Sequence, residues 1–163
     1  MTSHGRTSLF AAIAIVSLAL TTAGTSLSGS QRSGRDQRDG GRLVGAWRLV
    51  SLEEPDAAGT IRTADCTGQF VFTADGHAAV QVMYRDAGAS AGSPQYAERG
   101  YEGTFGRYNV DEGTQTFTFY VEGAVVRSLV GRDLKRRYTF TRNQLIVQPV
   151  NPDEHWRVVW QHY

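Results

Sequence analysis

The chain has 163 residues, a nearly balanced charge (17 Lys plus Arg against 16 Asp plus Glu) and one cysteine, Cys66. That length allows one domain with tails. The charge balance lacks the strongly basic footprint of a nucleic-acid binder, and a lone cysteine excludes an internal disulfide, so the fold has to stand on its core.

The N-terminal "MTSHGRTS" carries one arginine and no acid, "LFAAIAIVSLAL" (9–20) is an apolar run, and "TTAG" follows with small residues. This is the three-part layout of a secretory signal, with cleavage expected after Ala23. An uncleaved anchor is the competing reading, but a spanning helix needs roughly 20 apolar residues. No cysteine follows the run to carry a lipid. Residues 1–23 are therefore expected to be a signal peptide, and the mature protein to be exported, periplasmic or secreted, without a membrane anchor. Cleavage would remove Arg6 and no acid, leaving 16 bases against 16 acids. Residues 24–41, "GTSLSGSQRSGRDQRDGG", hold one leucine and no aromatic. Such a segment cannot bury enough apolar surface to offset its ordering entropy, so a disordered linker is expected, with the domain over 42–163.

Eight strand signals follow: 45–54, 68–73, 77–84, 101–110, 115–123, 134–141, 144–150 and 155–163. Short turns separate most of them, "ADG" (74–76), "DEGT" (111–114), "RN" (142–143) and "NPDE" (151–154), while 54–67 and 85–100 are longer connections. Gly, Asn and Asp suit tight hairpins. Period-2 alternation puts Phe70 with Phe72, Val80 with Val82 and Tyr84, Phe117 with Phe119 and Val121, Leu134 with Tyr138 and Phe140, and Trp156 with Val158 and Trp160 on common faces. The expected fold is all-β, an eight-stranded up-and-down antiparallel β-barrel, because closure removes exposed edges. A β-sandwich is the alternative; it normally needs crossovers, and only two connections are long.

The stretches "LVGAWRLVS" (43–51), "GQFVFTADGHAAVQVMYRD" (68–86), "YEGTFGRYNVD" (101–111) and the closing "WRVVWQHY" give this chain its family likeness. In order and spacing they resemble the bacterial and fungal lipocalin-like domain family, over about residues 43–163. The resemblance implies a lipocalin-like barrel with a cavity for a small, largely apolar molecule; a few members look like ring-forming or isomerising enzymes. Two departures stand out. Phe119 and Tyr120 occupy the place of a frequent histidine pair, and Trp160-Gln161-His162 replaces a terminal Trp-x-Arg. The resemblance makes Gly45, Trp47 and His162 the barrel-closing group, with His162 a weaker lid on the opening indole than arginine.

An eight-stranded barrel is either filled by its side chains or holds one small ligand. The candidate ligand-binding residues are Phe70, Phe72, Val82, Tyr84, Tyr101, Phe105, Arg107, Phe117, Phe119, Arg136, Tyr138 and Trp160; the alternative for each is core packing. Arg136 shares parity with Tyr138 and Phe140, so it faces inward if they do, and a buried guanidinium needs a carboxylate from protein or ligand. The alternative is that "RDLKRR" (132–137) is a solvated edge. His77, after the Asp75-Gly76 turn, is either a base at the mouth or merely exposed. Cys66, in "ADCTGQ", reads as a small half-buried residue, with a nucleophile or an intermolecular bridge as the alternative. No histidine, cysteine or carboxylate spacing suits a metal, and no cofactor fingerprint is present.

Three functions follow. The first is a monomeric, exported barrel binding a small apolar or amphipathic molecule, anionic if Arg136 is its partner. The second is a cyclase- or isomerase-type enzyme acting in the same cavity. The third is a packed barrel whose outer face, including Trp156 or the 85–100 loop, meets a partner. A lumen no larger than a couple of waters, with Phe70, Phe72, Phe117 and Trp160 meeting across it, would favour the third.

Overall fold

The structure is a computed structural model in which residues 36–86 and 95–163 are described. The expected signal peptide (1–23), linker residues 24–35 and residues 87–94 of the second long connection lie outside the described residues. In chain order the elements are α1 (Asp36–Leu43), β1 (Gly45–Pro55), β2 (Ile61–Thr63), β3 (Cys66–Phe72), β4 (His77–Tyr84), β5 (Tyr101–Asp111), β6 (Thr116–Ala124), β7 (Asp133–Thr141), β8 (Gln144–Pro149) and β9 (Arg157–His162), with a 3-10 turn at Arg127–Leu129.

All eight expected strands form, and from β3 to β9 each pairs antiparallel with the next. β1 pairs with β3 on one side and with β9 on the other, Trp47 opposite His162 and Leu49 opposite Trp160, and so closes the barrel. The sandwich alternative therefore falls. β2 is an addition that pairs with the far end of β1, Glu53–Pro55. Its three exposed residues are too few to show an alternation, which is why 54–67 reads as loop in the sequence.

The linker expectation needs correction where it overlaps α1, because Asp36–Gly41 are helical. Two glycines at about 1 kcal/mol each weaken this helix as an isolated segment, so it depends on what its last turn touches. Leu43 is fully buried, and its carbonyl accepts a hydrogen bond from Trp47 Nε1 at 2.8 Å. The Arg42 guanidinium lies 3.9 Å above the Phe140 ring. Glu112 Oε1 accepts from the Gly40 N–H at 3.1 Å.

These contacts sit at one end of the barrel, which is closed. Trp47 meets His162 edge-on, ring centroids 4.8 Å apart, and tilts against Phe140 at 6.2 Å. Gly45 has a φ of 135°, and any Cβ there would run into the His162 imidazole. Gly45, Trp47 and His162 thus stand together at the plug, joined by α1. Behind them Phe72 packs between Tyr108 (5.0 Å) and Phe117 (5.5 Å), and Tyr138 between Phe117 (6.5 Å) and Phe140 (5.6 Å). His77 is at this closed end, exposed and 3.3 Å from Asp75, and not at the mouth.

Candidate functional site

At the opposite end the inward side chains do not meet, and a cavity of about 80 Å³ remains. A water needs roughly 10–15 Å³ on this measure, so the space takes about five to eight waters or one small organic molecule. The floor is aromatic: Phe70 touches Trp160 at 5.6 Å and both Phe117 and Phe119 at 6.1 Å. Val80 and Val82 of β4, Val147 of β8 and Val158 of β9 form the walls. The four aromatics named in the sequence test do meet, but they seal only the lower half of the barrel.

The upper wall is polar, and each of its groups has a traceable origin. In β1 a bulge between Leu49 and Ser51 shifts the alternation, which turns Leu52 and Glu54 inward. Glu54 is 5 % exposed and accepts a hydrogen bond from the Tyr84 hydroxyl at 3.1 Å. Burial, together with the Glu54 charge, pushes the Tyr84 phenol well above its ordinary range. In β5, Glu102 stands opposite Val82 and shares its face. Burial raises its carboxyl to about 7, against the pull of Arg136 and with a further push from Glu54. Thr104, buried, completes this side.

Arg136 lies opposite Phe117 on β7 and is only 8 % exposed, while its neighbours Lys135 and Arg137 are in solvent. The charge run is thus a solvated edge apart from this one inward residue. Its guanidinium lies between the rings of Tyr96 and Trp156, 5.1 and 5.0 Å from their centroids. Nη2 donates to the Tyr96 hydroxyl at 2.9 Å, and Nη1 is 4.0 Å from Glu154 Oε2. The same Glu154 oxygen accepts from Tyr96 Oη (2.5 Å) and Trp156 Nε1 (2.9 Å). Burial opposes the ionised Glu154, but these donors and Arg136 outweigh it and hold the carboxyl below its ordinary value. Burial lifts the Tyr96 phenol to about 12, although Arg136 pulls the other way. Trp156, offered from the sequence as an outer-face residue, is instead half-buried and lines the cavity.

Of the twelve sequence candidates, Phe70, Val82, Tyr84, Phe117, Phe119, Arg136 and Trp160 line the cavity. Phe72 and Tyr138 point inward but belong to the packed, closed half. Tyr101, Phe105 and Arg107 are corrected: they share the outer face of β5. Phe105 is 57 % exposed and its ring covers Gly123 on the neighbouring strand. Tyr101 lies against Gly103 in the same way, and Arg107 pairs with Glu122 at 2.8 Å in solvent. Aromatic rings laid over strand glycines shield backbone that lacks side chains, so their apolar character does not mark the lumen. Nor does Gly106 leave space, since β6 bulges toward it and a Cβ there would strike the Tyr120 carbonyl.

Residues 44–162 match the family described as the lipocalin-like domain. The chain belongs to this lipocalin-like domain family. Among solved structures it is similar to an uncharacterized protein from Bacteroides eggerthii, at 14 % identity over 74 % of this chain and 99 % of that one, with a TM-score of 0.44. It is also similar to a redesigned beta barrel, at 14 % identity over 77 % of this chain and 96 % of that one, again with a TM-score of 0.44. No curated protein matches the chain. Within this lipocalin-like barrel, among the described residues, no group of three or more His, Cys, Asp or Glu is placed to hold a metal ion. No helix among them is long and apolar enough to cross a membrane. Cys66 is half-buried near the polar wall, and burial, with Glu54, Asp65 and Glu102 nearby, lifts its thiol to about 11. That is the protonated, unreactive state, since the thiolate is the nucleophile.

Proposed function

We propose that this lipocalin-like protein is an exported, monomeric barrel that holds one small, largely apolar molecule with a polar end in its lumen. The observation that carries the reading is the cavity, apolar at the floor and polar on one wall, the usual make-up of a small-molecule site. Burying about 200 Å² of apolar ligand surface yields about 5 kcal/mol, while association costs an estimated 4 kcal/mol or more. Useful affinity therefore draws on the polar wall. The indole N–H of Trp160, on a residue 2 % exposed, has no acceptor among the described residues. A guest bearing an oxygen would satisfy it.

One measurement tests export and carriage together: the native mass of the protein purified from its own host. The expected spectrum is a monomer beginning at Gly24 with one small molecule retained. A chain still carrying residues 1–23 would defeat the export reading, and a ligand-free mass from repeated gentle preparations would defeat carriage.

A second reading, a cyclase- or isomerase-type enzyme in the same cavity, draws on the presence of Glu54, Tyr84, Glu102 and Arg136 around the one cavity. A carboxyl poised near 7 is suited to general acid–base work. Conversion of the retained molecule on incubation with fresh protein would favour it over carriage.

A further inference from the structure

Resting on the lumen-binding reading, we propose that the guest is a small amphipathic amine, held as its ammonium between Glu102 and Glu54 with its apolar body over Phe70, Phe119 and Trp160. The charge pattern of the wall leads there. Among the described residues Arg136 is the one cation lining the cavity, and it is already engaged by Glu154, the Tyr96 hydroxyl and two aromatic faces. Against it stand two carboxyls inside the cavity, Glu54 and Glu102. The anionic guest expected from Arg136 alone would meet both of these carboxyls.

Glu102 has no hydrogen-bond partner among the described residues, whereas Glu54 accepts from Tyr84. Glu102 is half-buried, and a carboxylate drawn out of water without a donor is costly; a guest that brings a charged donor removes that cost. The groups facing Glu102 are Glu54 from β1, Cys66 from β3, Tyr84 from β4 and Arg136 from β7. Tyr96 and Glu154 stand behind Arg136 at the same mouth. Cys66 and Tyr84 are pushed up and Glu154 is held down, whereas burial brings the Glu102 carboxyl to about 7.

The sign of the pH effect follows. Below about 7 Glu102 is protonated in the empty site, so an ammonium must displace its proton and binds more weakly. An alkylammonium itself keeps its charge, its ordinary pKa being about 10. The test is calorimetric titration of the mature protein with three near-isosteric probes: 2-phenylethylammonium, 2-phenylethanol and phenylacetate, at pH 8 and pH 6. The ammonium is expected to bind at least about tenfold tighter than the alcohol at pH 8, and to lose about tenfold by pH 6. The alcohol should be indifferent to pH, and phenylacetate should bind weakest. Glu102→Gln should remove the pH dependence and most of the advantage of the ammonium over the alcohol. The wild-type pH series decides the matter even if that variant does not fold. Ammonium no tighter than alcohol, or phenylacetate tightest, overturns the amine assignment and leaves lumen binding standing. Failure of all three probes overturns both.

Discussion

Trp47→Ala is expected to lower the unfolding free energy by about 3–5 kcal/mol, the usual range for deleting a buried aromatic. The indole is 4 % exposed and ties three segments together. Its Nε1 hydrogen-bonds the last turn of α1 through the Leu43 carbonyl, its ring meets His162 of β9, and its far side faces Phe140 of β7. Removing it opens a void at the plug and leaves the Leu43 carbonyl without its donor. Domains of this size have only about 5–15 kcal/mol in hand, so the variant should unfold at much lower urea with an unchanged denaturant slope. A loss below about 1 kcal/mol would mean that α1 and the plug do not hold the barrel closed. Trp47 does not line the cavity, so whatever folded variant remains should still bind.

Arg136→Ala is expected to cost about 3 kcal/mol, because breaking a buried ion pair strands the remaining charge. The guanidinium and its Glu154 partner are 10 and 16 % exposed at the side chain. Its loss empties the space between the Tyr96 and Trp156 rings and withdraws the charge that restrains Glu102. The Glu102 carboxyl should then titrate higher than about 7, readable by NMR or by a shifted pH midpoint of stability. Arg136→Met, which keeps the stem and part of the packing, should lose less than the alanine variant. Wild-type stability in Arg136→Ala, measured by urea denaturation, would return this side chain to the solvated edge that "RDLKRR" suggests in the sequence.

The strand order was legible because alternation and short turns act locally: Asp75-Gly76 and Arg142-Asn143 bring neighbouring strands into register within a few residues. Inward Phe117 and Phe119 on β6 were legible for the same reason, while the parity of Arg136 on β7 left it open between the lumen and a solvated edge. The parity of β5 was not. It follows the 85–100 connection, which is too long to transmit register, so hydrophobicity alone chose the face and picked Tyr101 and Phe105. Cross-strand partners share a face, and the pairing of Glu102 with Val82 settles it only once the register is known. Glu54 was hidden by the bulge at Leu49–Ser51, which breaks the alternation it would have to obey. Tyr96 and Glu154 reach the site from connecting segments, where no periodicity exists to reveal them, whereas Trp156 shares the parity of Val158 and Trp160 in the expected strand 155–163.

The central claim is that the upper lumen is a space kept for a guest and not a core that happens to be loosely filled. Val82→Phe tests it most directly, since Val82 lines the cavity beside Glu102, its register partner on the adjacent strand. Overpacking a filled core typically costs 1–3 kcal/mol, whereas filling a real void gains about 0.5–2 kcal/mol. The measurement is urea denaturation of the ligand-free variant beside titration with 2-phenylethanol. The expected result is stability equal to or above that of the unmodified protein together with loss of binding. A variant destabilised by more than about 1 kcal/mol, or one that still binds the alcohol as tightly, would contradict a lumen built to hold a small molecule.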